Sequence, residues 1–272
     1  MIEDGMVLNA REPDGLLHAS SHLSSNLRHT LLSFHPDIPR KSPDLVSLIR
    51  MQTGTLWHAE LERWFKGMPA MLEVDLTPWM PEGWGGRADY IVWDEAQGGF
   101  RLCDLKTIKG DAIVWKKRNG ASESHIWQTS LYWWACFEMG LPMVNEISVL
   151  YLPMNVAPGA EMVEINFKPL SLEKVQSRCD DRLYALKMFR EMEYSLDTLN
   201  GLSPGPGRIQ KRVKTSGSCY DVKLVPQWEA QFCSYPLPYC DCSTLKTTKI
   251  GQYDEDDVYW PRKGYEDILP EV

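Results

Sequence analysis

The spacing of hydrophobic residues changes several times along this chain, and each change predicts a different element. The first long stretch of helical spacing covers residues 42–66, where the apolar positions are Leu45, Leu48, Ile49, Leu56 and Leu61. Ser42-Pro43-Asp44 suits a helix start, because a capping hydroxyl, a proline of fixed φ and a carboxylate all favour the first turn. We therefore predict a helix that ends near Lys66.

Short apolar runs follow this helix, and their length and alternation predict strands. The runs are Met71–Leu76, Arg87–Trp93, Gly99–Thr107, Glu146–Leu152 and Glu161–Phe167. The segment 94–98 between the second and third runs is typical of a turn, so these two strands are expected to form a hairpin.

Helical spacing returns in two later segments. We predict one helix over Glu123–Met139, ended by Gly140, and a long amphipathic helix over Ser171–Leu199. Lys109–Ser122 is predicted to be a basic loop, and a short helix is expected within Ser21–Leu32.

The predicted order is α–β–β–β–α–β–β–α, which places the chain in the α/β (α+β) class with a mixed central sheet flanked by helices. We expect an N-terminal segment, residues 1–41, that packs on the core. Residues 42–200 are expected to be the core, and residues 201–272 a C-terminal extension that contains cysteines.

The charge of the chain argues modestly against nucleic-acid binding through the overall electrostatic field. The net charge is −8 over 272 residues, whereas such proteins are usually basic. Local basic runs at 106–118 and 208–214 leave room for a basic groove, although the commoner explanation of such a run is a solvated surface. No apolar run is long enough to span a bilayer, and the N-terminus lacks a signal-peptide pattern. We therefore expect a soluble, cytoplasmic protein, in the host cytoplasm if it is phage-encoded.

Two carboxylates and a lysine on the predicted hairpin are the candidate chemistry. Asp104 and Lys106 alternate with Leu105 and therefore share one face of their strand, and Asp89 on the preceding strand can converge with them. Close carboxylates repel, and a Mg²⁺ or Mn²⁺ ion removes that cost. An Asp-x-Lys sequence alone is more often an exposed ion pair of little energetic worth.

Two helical pairs add to this hairpin. His58 and Glu62 lie one turn apart and could hydrogen-bond, although a lone histidine is more often structural. Gln128 and Tyr132 are also one turn apart. They could position a nucleic-acid backbone or simply satisfy each other's polar atoms.

Four ordered motifs now stand together: Gly54-x-x-x-His58, Gly86-Arg87-Ala88-Asp89, Asp104-Leu105-Lys106 and Gln128-x-x-x-Tyr132. In order and element type they resemble the PD-(D/E)XK nuclease superfamily. The resemblance is to the branch of RecB-type nuclease domains, CRISPR-adaptation exonucleases and phage-encoded relatives, and it covers roughly residues 20–245. It implies an αβββαβ restriction-endonuclease-like core.

The resemblance also implies roles for these residues. His58, Asp89, Asp104 and the backbone carbonyl of Leu105 would bind Mg²⁺ or Mn²⁺. Lys106 would serve the attacking water. Two residues would support the site and the bound DNA strand: Gln128 and Tyr132.

Many members of that branch carry an iron–sulfur cluster held by four cysteines, and this chain departs from the pattern. Asn26 and Ala230 stand where two of the cysteines are expected. Two matching ligands, Cys233 and Cys240, remain. With two further cysteines, four thiolates are left for zinc or a rearranged cluster: Cys219, Cys233, Cys240 and Cys242. We favour the absence of a cluster.

Three functions are weighed on this basis. The first is a metal-dependent DNA nuclease, an exonuclease of DNA processing, recombination or repair that acts on single-stranded DNA or duplex ends. The second is a DNA-binding or assembly module on the same fold without catalysis. The third is a restriction-type endonuclease, which the lack of a separate recognition domain disfavours. A recombination-protein partner or a homo-oligomer is left open.

Overall fold

The structure of this protein is a computed structural model that describes residues 14–25, 27–38, 45–155, 161–202, 208–216, 219–226 and 248–253. By its contacts the chain divides into two compact units. One comprises Met1–Ser25 and Pro43–Tyr184, and the other comprises Asn26–Ser42 and Ala185–Val272.

The first unit is built on a five-stranded sheet. Its N-terminal segment contributes β1 (Leu17–His18) and a π-helix (Ala19–Leu23). The next helix, α1 (Leu27–Leu32), belongs to the second unit. The helix that precedes the sheet is α2 (Leu45–Trp64). The strands that follow are β2 (Ala70–Asp75), β3 (Trp84–Gly85), β4 (Arg87–Asp94), β5 (Gly99–Ile108), β6 (Met143–Pro153) and β7 (Val163–Phe167). Between β5 and β6 lie α3 (Gly110–Asn119) and α4 (Glu123–Glu138), and α5 (Leu172–Glu191) follows β7.

The sheet has the strand order β2-β4-β5-β6-β7, and only the β5–β6 pair within it is parallel. Helices pack against it, which confirms the predicted mixed sheet flanked by helices. The predicted order of the elements in and around this sheet is also confirmed, with α3 and the paired two-residue strands β1 and β3 added. Crossing from β5 to a parallel β6 requires a long connection, and α3 and α4 form that connection.

The prediction of a basic loop over Lys109–Ser122 is wrong, because α3 occupies most of it. Asp111 lies in the first turn of α3 and three cations lie in the last, which favours a helix through its dipole. Ile113 is completely buried and anchors the helix. Gly120 ends it with a φ of +82°, a conformation that glycine adopts without strain.

The sheet buries side chains on both faces. One cluster contains Leu61 of α2 with Tyr90, Cys103 and Leu105, and another contains Ile113 of α3 with Val149 and Tyr151. The second half of β6 accordingly carries an unbroken apolar run, residues 149–152, as a strand covered on both faces does.

The second unit contains an antiparallel sheet that the sequence did not predict. Its strands are β8 (Arg208–Ser216), β9 (Cys219–Pro226) and β10 (Thr248–Tyr253), in the order β10-β9-β8. The single long helix predicted over Ser171–Leu199 is wrong. It ends at Glu191 and a short helix, α6 (Leu196–Leu202), begins after a turn in which Glu193 and Tyr194 have positive φ.

Several predictions fall outside the described residues. These are the helix start at Ser42-Pro43-Asp44 and the expected positions of Asn26, Ala230, Cys233, Cys240 and Cys242. Within the described part of the chain, none of the helices combines the length and hydropathy that crossing a bilayer requires.

Candidate metal and active site

The candidate site forms where β4 and β5 diverge. Their ladder runs from Asp94 opposite Gly99 to Tyr90 opposite Cys103 and stops there. Beyond it, the Leu105 N–H donates to Oδ2 of Asp89 at 2.6 Å. This hydrogen bond brings Asp89 to the residue that follows Asp104, and burial, then the Asp104 charge, raise the pKa of Asp89 to about 7.

Asp104 is the most deeply buried acidic group of the site, with 1% of its surface exposed. Gln128 Nε2 donates to its Oδ1 at 3.2 Å, and Lys106 Nζ lies 2.8 Å from its Oδ2. Oδ2 pairs with the Lys106 ammonium and has no second hydrogen-bond donor in the described part of the chain. A buried carboxylate oxygen with a lone pair to spare fits a metal ligand.

The alternation predicted along β5 is confirmed. Asp104 and Lys106 lie on one face, whereas Cys103 and Leu105 pack into the apolar cluster on the other. Burial acts to lower the pKa of Lys106, but the Asp104 and Asp89 carboxylates outweigh it and the pKa is raised. Lys106 is therefore a fixed cation at neutral pH.

His58 reaches the site from α2. Its Nδ1 lies 3.4 Å from Oε1 of Glu73 and 3.5 Å from Oδ1 of Asp89. The hydrogen bond that His58 donates to Glu73 raises the pKa of His58, burial opposes the rise, and the Asp89 charge adds to it. The predicted contact between His58 and Glu62 is wrong. The His58 ring turns towards Glu73 and Asp89 of the sheet, and the Glu62 side chain is exposed.

Glu73 is the site residue that sequence reasoning missed. It lies in β2 between Leu72, opposite Tyr90, and Val74, opposite Ala88, so its cross-strand neighbour is Asp89. Its φ of +48° is strained for a residue with a side chain. A charged residue inside an otherwise apolar strand was the available signal.

Three potential ligand atoms of His58, Glu73 and Asp89 lie within 4.8 Å of one another. Asp104 is outside that group of three, but it precedes Leu105, whose N–H donates to Asp89, and its charge acts on Asp89. Arg87 Nη1 lies 3.6 Å from Oε2 of Glu73. Carboxylates with one imidazole suit Mn²⁺ or Mg²⁺, and these residues fit such an ion.

Gln128 and Tyr132 of α4 are both buried, with 6% and 4% of their surfaces exposed. Burial raises the pKa of the Tyr132 phenol, as do Asp104 and Asp89, while hydrogen bonds with Gln128 and the Arg87 backbone oppose the rise. The pair therefore supports the carboxylates from behind. Its buried polar atoms are directed at the protein, which does not favour the predicted contact with a DNA backbone.

The two motif glycines meet different surroundings. A Cβ on Gly86 would lie 2.5 Å from Cε1 of Tyr132 and 2.7 Å from Cε of Met80. A Cβ on Gly54 would lie 3.5 Å from Oγ1 of Thr107, an ordinary contact. Only Gly86 is therefore required by the packing around the site.

The cysteines whose side chains the structure describes are core residues. Cys103, Cys136 and Cys179 are buried free thiols, and burial raises the pKa of each to about 12. They are thus protonated and poor metal ligands. Of the four thiolates considered for a cluster, Cys219 begins β9 and the other three lie outside the described residues.

Comparison with known proteins was made by sequence and by structure. Neither a family model nor a curated protein matches the sequence. The fold is similar to the crystal structure of SSO0001 at a TM-score of 0.44 and 16% identity, over 67% of this chain and 82% of that one.

It is also similar to two crystal structures of LHK-Exo, an alkaline exonuclease from Laribacter hongkongensis. One, in complex with dAMP, has a TM-score of 0.44 and 14% identity. The other has a TM-score of 0.45 and 12% identity. Each covers 70% of this chain and 95% of that one. At these values the likeness by itself identifies neither a family nor an activity.

Proposed function

We propose that this protein is a metal-dependent DNA nuclease, and specifically an exonuclease of DNA processing, recombination or repair. The observation that carries the proposal is Asp104: it is buried, keeps a lone pair free, pairs with Lys106 and acts electrostatically on the second carboxylate, Asp89. Burying like charges together is costly, and a divalent cation would offset that cost.

His58, Asp89 and Asp104 would hold Mg²⁺ or Mn²⁺, and Glu73 joins them in our proposal. The Leu105 carbonyl leaves β5 at the same strand edge as its N–H, which faces Asp89, and this supports its proposed role as a ligand. The bound ion would polarise a phosphodiester and lower the pKa of a water molecule.

The Asp104 and Asp89 carboxylates raise the pKa of Lys106, so its side chain enters the site as an ammonium group. Its ammonium group would orient the attacking water and stabilise negative charge on the phosphate. Gln128 would fix Asp104 in the required orientation, and Tyr132 would hold Gln128 in turn.

Purified protein incubated with labelled linear DNA and Mn²⁺ tests the proposal. We expect cleavage by the wild type, and losses of about a thousandfold in Asp104→Asn and Lys106→Met, equivalent to about 4 kcal/mol. Circular dichroism and the thermal midpoint show whether each variant folds. Glu62→Gln, an exposed change one turn from His58, is the matched control.

The digestion pattern separates the three functions. An exonuclease leaves a covalently closed circle intact, whereas a restriction-type endonuclease linearises it. Binding of DNA without cleavage of any form, in Mg²⁺ or Mn²⁺, would instead show the non-catalytic module. Full activity of Asp104→Asn would overturn the proposed site.

Other expectations remain predictions. They are the domain boundaries at residues 41 and 200, a cytoplasmic location, membership of the RecB-like branch, a recombination partner or homo-oligomer, and the absence of a cysteine-bound cluster.

A further inference from the structure

We propose that a groove beside the acidic site, which is formed by His58, Glu73, Asp89 and Asp104, binds an unpaired DNA strand. The substrate would then be single-stranded DNA or an unpaired end. This inference rests on the proposed nuclease function. The strand groove, as we name it, has a volume of about 570 Å³ and is lined by residues of α2, α3 and the end of β6, among them Ile49, Arg50, Thr53, Lys109, Asp111 and Met154.

The strand groove adjoins the acidic site through two elements. On α2, Thr53 precedes Gly54, and Gly54 packs at Thr107, which follows Lys106 in the sequence. His58 lies one helical turn beyond Gly54. Lys109 follows the end of β5, three residues after Lys106. In our proposal, a DNA strand with one phosphate at Lys106 continues into this groove.

The cations of the groove are available for phosphates. Arg50 and Lys109 are exposed, and in the described part of the chain neither side chain makes an ion pair or hydrogen bond. Arg63, on the same helix, is instead paired with Glu60, and Lys117 with Glu161. One carboxylate, Asp111, also lines the groove, so its formal charge is weakly positive.

The exposed apolar residues of the groove favour an unpaired DNA strand over a duplex. Val46 and Ile49 line the groove with 55% and 49% of their surfaces exposed, and Met154 is beside them. A duplex turns its phosphates outward and stacks its bases inside, so it would leave this wall without a partner. An unpaired strand presents both phosphates and base faces. A cavity of this volume is of the size that holds a ligand as large as a nucleotide.

Fluorescence anisotropy with a short labelled oligothymidine and with a hairpin duplex tests the groove. EDTA is present so that metal-dependent cleavage cannot occur. We expect the wild type to prefer the single strand, and Arg50→Gln and Lys109→Gln each to weaken its binding about fivefold. Each variant should also lower the slope of log K against log salt by about 0.7.

Asp111→Asn tests the same electrostatic argument with the opposite sign. Removing this negative charge should tighten binding of the single strand about twofold to threefold. Arg63→Gln removes an exposed cation from the same helix outside the groove and should leave both affinities unchanged.

Two results would overturn the groove. One is wild-type affinity and salt slope in both Arg50→Gln and Lys109→Gln. The other is a wild type that prefers the duplex. Because binding is measured without divalent metal, failure of the proposed cleavage leaves this measurement intact. If the protein cleaves DNA but these variants bind DNA as the wild type does, only the groove proposal fails.

Discussion

The two sides of the acidic site are held to different degrees. On the sheet and α4 side, Asp104 is 1% exposed and is contacted by Lys106 and Gln128, with Tyr132 behind them. On the α2 and β2 side, the His58 and Glu73 side chains are 32% and 31% exposed. They contact each other, Asp89 lies near His58, and the exposed Arg87 lies near Glu73.

This difference teaches which part of the site is organised before any ligand arrives. A buried carboxylate held by several contacts keeps its position and costs no reorganisation during a reaction. The more exposed side is free to admit a metal ion, water and substrate. Substitutions behind Asp104 should therefore cost more than substitutions around Glu73.

Gly86→Ala should break the buried side. The added Cβ would meet Tyr132 at 2.5 Å, and a displaced Tyr132 would release Gln128 and thus Asp104. We expect nuclease activity to fall about 100-fold, as when an outer partner of a metal ligand is lost. Steady-state kinetics and Mn²⁺ titration measure the effect. Gly98→Ala controls for a general loss of stability, because its φ of +67° strains an alanine at a hairpin turn with open space. Unchanged kcat and Mn²⁺ affinity would contradict the account.

His125 should make the free energy of unfolding of the protein depend on pH. Its Nδ1 lies 2.8 Å from the Tyr151 hydroxyl, and burial, then Lys106 and Lys116, lower its pKa to about 3. The unfolded chain takes up a proton below pH 6.5 and the folded chain does not, so stability falls as the pH drops from 6.5 towards 3. The loss at pH 5 should be about 2 kcal/mol.

Urea unfolding at pH 7 and pH 5 measures this loss. His125→Gln has no proton to gain, so its stability should fall about 2 kcal/mol less than that of the wild type over the same interval. Equal losses in the two proteins would show that His125 is not held neutral in the folded state.

Glu73→Gln tests the α2 and β2 side of the site, where the side chains are more exposed. The change removes one candidate ligand and the hydrogen bond that raises the pKa of His58. We expect Mn²⁺ affinity to fall about tenfold and the pKa of His58, followed by NMR, to fall as well. A loss as large as that of Asp104→Asn would show that the two sides are equally important.

Gly54→Ala should have the smallest effect. Its Cβ would make only an ordinary contact with Thr107, and Gly-to-Ala exchange inside a helix stabilises it by about 1 kcal/mol. We expect a thermal midpoint about 2–4 °C higher and unchanged kcat. A large loss of activity would show that the backbone at Gly54 must approach a ligand.

The sequence predicted the sheet well because strand periodicity is a local property. The five predicted strands appear within a few residues of their expected bounds, as β2, β4, β5, β6 and β7. The basic run at 109–118 was wrongly predicted to be a loop, because its charges suit the end of a helix as well as a loop. The interrupted helix near Glu193 and the three strands after residue 207 carry weaker local signals than the core strands do.

The amino-acid sequence by itself determined the order of elements and put Asp89, Asp104, Lys106 and His58 on them, because alternation along a strand and turns of a helix are set by near neighbours. Only the tertiary structure decided that Glu73, rather than Glu62, meets His58, and that Tyr132 rests on Gly86. Those contacts join separate elements, and their geometry depends on strand register, a strained φ and helix packing that no local pattern encodes.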